Sequence, residues 1–252
     1  MKKMYNPGKN LLENRVILVT GAGDGIGKQA AITFAEFGAE LILLGRKQEK
    51  LESVYDMISK MDTPKPCIVP FDLELCEEIA YSRLATKIQE DYGRLDGLLH
   101  NAAILGPRVP IENYAYKDWE AVMQVNINSV FLLTKFLLAL LKKSDDGRLI
   151  FTNSGVGQKP RAYWGAYSIS KYALNGLAKL VADELENTSN VVVTSVNPGA
   201  TRTKMRNAAY PGENPDSVKP ATNLMPLYLY LAGPDSRNEH NSFFSSEDDF
   251  SK

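Results

Sequence analysis

The segment Val16-Ile-Leu-Val-Thr-Gly-Ala-Gly-Asp-Gly-Ile-Gly27 sets the architecture of this chain. Its first five residues are a continuous apolar and β-branched run, as a parallel strand buried on both faces requires. Glycines at 21, 23, 25 and 27 follow at once. Glycine lets the backbone turn sharply and lets a ligand come close to the main chain. From Gly25 to about Phe37 the residues read as a helix, closed by Gly38. A helix N-terminus offers free N–H groups and partial positive charge to a phosphate. A glycine motif alone is weak evidence, but between strand and helix it points to dinucleotide binding by Thr20, Gly21, Gly23, Asp24, Gly25, Ile26 and Gly27.

The alternation continues downstream. Leu41–Leu44, Cys67–Phe71, Gly97–His100, Arg148–Thr152 and Val191–Val196 read as further buried strands. Between them, helices are predicted over Lys47–Met61, up to Tyr92, over Asp118–Lys143 and over Gly165–Glu186. Strands alternating with helices of this length form parallel crossover units, so the expected fold class is α/β, a Rossmann-type doubly wound parallel sheet in one domain spanning 1–252. After Pro198 the pattern fades: 200–220 reads as a loop or lid, Pro220–Leu231 as one more helix, and 241–252 as a flexible polar tail.

A formal net charge of −1 gives no basic excess for nucleic acid or a membrane surface. Cys67 and Cys76 fit no zinc spacing, and two cysteines suggest no disulfide framework, so reduced thiols in a cytoplasmic protein are expected. No metal site is expected. No apolar signal core follows the polar N-terminus, and Val130–Leu141 is too short for a span of about 20 residues.

The second strand ends at Gly45, where a dinucleotide site that reads ribose hydroxyls carries an acid. Arg46 follows, and an arginine can neutralise a 2′-phosphate and stack on adenine. The expected cofactor is therefore NADP(H), with NAD(H) as the alternative because Asp24 could repel that phosphate. Further on, Tyr167 and Lys171 are four apart on a predicted helix and share one face, with Ser154 thirteen residues before the tyrosine. An ammonium beside a phenol lowers the phenol pKa, which suits proton exchange with a carbonyl or alcohol. Such a pair alone is common. It gains weight from the glycine motif at the start of the chain.

Together these residues resemble the classical short-chain dehydrogenase/reductase family, over about residues 12–205. The family's Thr-Gly-x-x-x-Gly-x-Gly matches Thr20, Gly21, Gly25 and Gly27; its acid after the third strand matches Asp72, followed by Leu73. Its Asn-Ala-Gly appears as Asn101-Ala102-Ala103, its helix asparagine as Asn126, its catalytic trio as Ser154, Tyr167 and Lys171, and its Pro-Gly turn as Pro198, Gly199, Thr201 and Thr203. Within the family the chain is similar to the YciK-like bacterial oxidoreductases, through Leu99-His-Asn-Ala, Trp164-Gly-Ala-Tyr167, Asn197 to Thr203 and Asn223-Leu-Met-Pro-Leu-Tyr-Leu.

The resemblance implies hydride transfer between NADP(H) and a small carbonyl or alcohol substrate. It makes Tyr167 the proton donor and gives Ser154 the reacting oxygen. Lys171 would lower the tyrosine pKa and hold ribose hydroxyls, and Asn126 would position a water that joins Lys171 to solvent. Asn101 and Ala102 would line the cofactor cleft, and Thr203 would hold the carboxamide. It also implies a homodimer or homotetramer through the helices at 118–143 and 165–186. Ala103 and Asn153 depart from the family pattern, and its C-terminal strand is hard to find near Ser242–Phe244. The competing class is a nucleotide-binding regulatory or scaffold protein without turnover; isomerase or dehydratase chemistry on the same fold is a third reading. His100, at a strand end, reads as structural.

Overall fold

The computed structural model describes residues 5–246. Seven parallel strands form one sheet in the order β3-β2-β1-β4-β5-β6-β7. They are β1 (Val16–Thr20), β2 (Glu40–Gly45), β3 (Cys67–Pro70), β4 (Gly97–His100), β5 (Arg148–Thr152), β6 (Val192–Asn197) and β7 (Ser242–Ser245). The helices are α1 (Gly25–Glu36), α2 (Gln48–Ile58), α3 (Glu78–Tyr92), α4 (Tyr116–Met123), α5 (Ser129–Leu141), α6 (Gly165–Leu185), α7 (Lys204–Ala209) and α8 (Met225–Ala232). This is the doubly wound fold that the alternation of the sequence predicts.

The continuous apolar runs follow from the two covered faces. In β1 and β2, Leu18, Ile42 and Leu44 point into the core formed with α3, α5 and α6. Their neighbours Ile17, Val19, Leu41 and Leu43 point into the core formed with α1, α2 and α8. A side-chain period of two therefore demands an apolar residue at every position. Strand order reverses between β1 and β4, which opens a crevice at the carboxyl ends of these strands.

Three segments differ from the sequence reading. The helix expected over 118–143 is interrupted: Gln124–Asn128 forms a π-helical turn between α4 and α5. The combined run Tyr116–Leu141 is long and apolar enough to cross a bilayer by composition, yet half of its most apolar window is buried within the protein. The loop expected over 200–220 contains α7. The tail expected from 241 is in part an edge strand, with β7 pairing Thr194 to Ser242 and Asn197 to Ser245. Phe244 of β7 packs edge-on against Tyr230 at 6.2 Å, and this contact anchors the strand. Residues 247–252 lie outside the described residues. At the opposite edge β3 ends in Pro70, opposite Gly45.

The amino ends of the strands are tied by charge. Arg148 at the start of β5 is completely buried. Its guanidinium lies 2.8 Å from Asp146, which also binds Arg15 at 2.9 Å and Arg237 at 3.1 Å. Burial pushes Arg148 down to about 10 and pushes the Asp146 carboxyl up, but the three arginines outweigh burial at Asp146 and hold it below the usual carboxylate range. Asp146→Ala should cost about 3 kcal/mol in chemical denaturation, because it strands a buried cation. With its folded pKa lowered, Asp146 stabilises fully above the ordinary value of about 4, and that contribution disappears as the pH falls through the folded value. The wild-type–variant gap should close in acid; a gap that persists there would assign the loss to packing.

Candidate active site

A cleft of about 860 Å³ opens at the carboxyl ends of the strands, where the strand order reverses. The glycine loop forms one wall. Gly21 and Gly25 have φ of +67° and +54°, which glycine adopts without strain. Gly27 matters for space instead: a methyl there would stand 2.4 Å from the Gly21 carbonyl oxygen and 2.5 Å from Asn101 Nδ2. Thr20 Oγ1 accepts from the N–H groups of Asn101 and Ala102 at 2.9 and 3.0 Å, pinning the end of β1 to the end of β4. The sequence-predicted residues Gly21, Asp24, Gly25, Ile26, Arg46, Asp72, Leu73, Asn101, Ala102, Pro198, Gly199, Thr201 and Thr203 all line the cleft. Thr20, Gly23 and Gly27 stand behind its surface.

Asp24 is not the bare anion the sequence suggests. Its Oδ1 accepts the Gly25 N–H at 2.8 Å and so caps α1. Its Oδ2 lies 2.5 Å from Lys50 and 3.3 Å from Lys204. Burial pushes the carboxyl up, but the two lysines outweigh it and keep it ionised and compensated. Lys50 and Lys204 are 26 and 180 residues away, and neither pairing has a local sequence signal. Arg46 is exposed, 3.6 Å from Glu74.

Ser154 follows β5, and the Gly165–Leu185 helix carries Tyr167 and Lys171 past it. The close pass requires Gly157, where a methyl would meet Lys171 Cβ at 2.7 Å. The Ser154 side chain lies beside the Tyr167 hydroxyl. Lys171 Nζ donates to the Thr152 carbonyl at 2.8 Å and lies 5.7 Å from the centre of the tyrosine ring. Burial pushes Tyr167 up to about 12, against a smaller downward pull from the neighbouring Ser154 hydroxyl, and pushes Lys171 down to about 8. This corrects the expectation of a lowered phenol pKa: desolvation dominates both groups. At neutral pH the tyrosine keeps its proton.

Asn126 lies away from the cleft surface, in the π-helical turn, and is buried. Its Oδ1 accepts from Ile104 N at 2.8 Å, and its Nδ2 donates to Ile104 O at 2.9 Å and to Ser170 Oγ at 3.0 Å. The side chain is a clamp between the loop after β4 and α6, with both amide hydrogens engaged. His100 is buried beside Thr134 at 3.0 Å and stacks on Phe151; burial pushes it down to about 3, so it is neutral. Among the described residues no group of three or more His, Cys, Asp or Glu side chains could hold a metal.

The short helix α7 roofs the cleft, capped by Thr203 Oγ1, which accepts from Arg206 N at 3.1 Å. A stack absent from the sequence reading holds it down. The Arg108 guanidinium sits 4.7 Å from the Trp164 ring and 5.0 Å from the Tyr210 ring, and it donates to the Ala209 carbonyl. Trp164 in turn lies 5.8 Å from Tyr167.

The sequence profile of short chain dehydrogenases matches residues 15–214. The chain belongs to the short chain dehydrogenase family. It is 46% identical to the uncharacterized oxidoreductase YciK of Escherichia coli K12, over 96% of each chain. A short chain dehydrogenase from Shigella flexneri 2a, crystallised with NADP, is 45% identical and superposes with a TM-score of 0.93 over 96% of this chain and all of that one. One from E. coli CFT073, crystallised with NADPH, is 46% identical, with a TM-score of 0.93 and the same coverage.

Each cation–π contact of this kind is worth about 0.5–2 kcal/mol. Arg108→Ala should therefore free the roof: amide exchange in 204–210 should quicken about tenfold while the sheet stays protected. Unchanged exchange there would mean that the stack bears no load.

Proposed function

We propose that this protein is an NADP(H)-dependent oxidoreductase that reduces a small carbonyl compound, or oxidises the corresponding alcohol. The observation that carries this is the contact of Ser154 with a buried, protonated Tyr167 on the floor of the cleft. The cradle suits a dinucleotide: Gly21, Gly25 and Gly199 present no side chains to the cleft, and the α1 N-terminus faces it. Arg46 is exposed and held only by the long 3.6 Å contact with Glu74, so it can turn to a 2′-phosphate, and Lys50 and Lys204 compensate the charge on Asp24 that could repel one. The relatives crystallised with NADP and NADPH support the same choice. When bound, the nicotinamide supplies or accepts the hydride.

The chain's own residues supply the proton and the geometry. Ser154 donates a hydrogen bond to the reacting oxygen and fixes its direction. Tyr167 gives that oxygen its proton in reduction, for which its raised pKa keeps it loaded. Lys171, with one hydrogen on Thr152 O, offers its remaining hydrogens to ribose hydroxyls and to a developing phenolate. Asn126 acts through position, holding the loop after β4 against α6.

Phe131, Ile169, Tyr172 and Leu180 are apolar yet exposed on α5 and α6, Leu180 by 56%. We assign this face to pairing with a second copy, in a homodimer or homotetramer. Light scattering should give at least twice the chain mass of 27.9 kDa at micromolar concentration, and Leu180→Glu should lower it; a wild-type monomer would remove the assignment.

In fluorescence titration NADPH should bind more tightly than NADH, and Arg46→Ala should narrow the difference. Tyr167→Phe should keep NADPH affinity within about twofold and lose 10²–10⁴-fold in turnover, the usual scale for general acid catalysis. Full turnover in the variant would overturn the mechanism, and equal binding of the two cofactors would overturn the preference.

A further inference from the structure

We propose that the substrate half of the cleft takes a carbonyl compound, or its alcohol, that has an apolar body and one anionic group, a carboxylate or a phosphate, held at the rim by Lys159 and Arg161. The proposal rests on the reading that Tyr167 delivers the substrate proton. The body is argued from the walls. Val156, Trp164 and Ala209 are buried around Tyr167, with Leu105, Met205 and Tyr210 packed beside them, as an apolar cluster separate from both main cores. Such a wall rewards an apolar substrate and penalises buried polarity.

The anionic group is argued from charge balance. The carboxylates lining the cleft are Asp24 and Asp72, both at the dinucleotide end, on the glycine loop and after β3. At the Tyr167 end the lining has cations and no acid. Arg206 is bound bidentately to Glu213, with Nε 2.6 Å from Oε2. Arg108, just behind the lining, is held between Trp164 and Tyr210. Lys171 donates to the Thr152 carbonyl. Lys159 and Arg161 remain: both line the cleft, both are exposed, and neither has an ion pair among the described residues. They share the β5–α6 loop with Ser154, and the Trp164 N–H donates to the Arg161 carbonyl at 3.3 Å, which seats this loop against the apolar wall. Two uncompensated positive charges beside an apolar pocket repel a cationic substrate and give a neutral one nothing. An oxyanion accepts hydrogen bonds from both, and an arginine fork suits carboxylate and phosphate alike.

The test uses the full chain loaded with NADPH and four probes: 4-acetylbenzoate, its methyl ester, acetophenone and 4-acetylphenyl phosphate. Affinity is read by tryptophan fluorescence, and kcat/KM by NADPH consumption. At low salt at least one of the two anionic probes should bind about tenfold more tightly than the ester, and which one does so separates carboxylate from phosphate. The advantage should shrink at 0.5 M salt, since rim charges are screened. In the double variant Lys159→Ala/Arg161→Ala the anion-to-ester ratio should fall to near one, with NADPH affinity unchanged. Equal binding of acid, phosphate and ester by the wild type, or a preference that survives the double variant, would overturn the proposal. Turnover of acid and ester alike would remove the anionic subsite while upholding the reductase reading. A charge preference in binding with no hydride consumption from any probe would do the reverse.

Discussion

The cleft depends on one close approach of main chain to main chain, where the first turn of α1 lies flush against the ends of β1 and β4. No atom beyond hydrogen fits on Gly27, and Thr20 holds the two strand ends together from beneath with three hydrogen bonds. Because α1 starts there and not a residue later, its N-terminus faces the crevice instead of solvent. The same economy recurs across the cleft at Gly157, which lets α6 bring Tyr167 and Lys171 alongside Ser154. Two positions without side chains thus set the distance between the two halves of the site.

Charge in the cleft is managed by pairing at one end and by desolvation at the other. Asp24 serves as a helix cap because two lysines from distant segments neutralise it. Tyr167 and Lys171 have no such compensation, and burial drives both toward their neutral forms. A buried phenol that holds its proton is a poised donor, and an ammonium near its titration point can answer a charge that forms beside it.

Five of the six strands read from the sequence are buried along nearly their whole length, so their apolar runs stand out even where His100, Arg148 or Thr194 interrupts them. The sixth, β3, is half-buried and is read from its Cys-Ile-Val run. The edge strand β7 escapes notice because Ser-Phe-Phe-Ser is short and only half-buried, and its register comes from β6, not from its own pattern. The π-helical turn has no composition of its own; it appears where Asn126 must reach Ile104 and Ser170 together. Site residues that sit in a motif with fixed spacing could be read directly. Lys50, Lys204, Arg108 and Tyr210 could not, since their partners lie far away along the chain and only the fold brings them together.

Pro70 closes the sheet at its β3 edge. A parallel sheet that ends in an open strand offers a row of backbone donors and acceptors to any extended chain that passes. Proline has no N–H to give, and here it occupies the last position of a strand only four residues long. Self-templated growth of the sheet into fibres is therefore discouraged on that side by a residue that contributes nothing to the cleft.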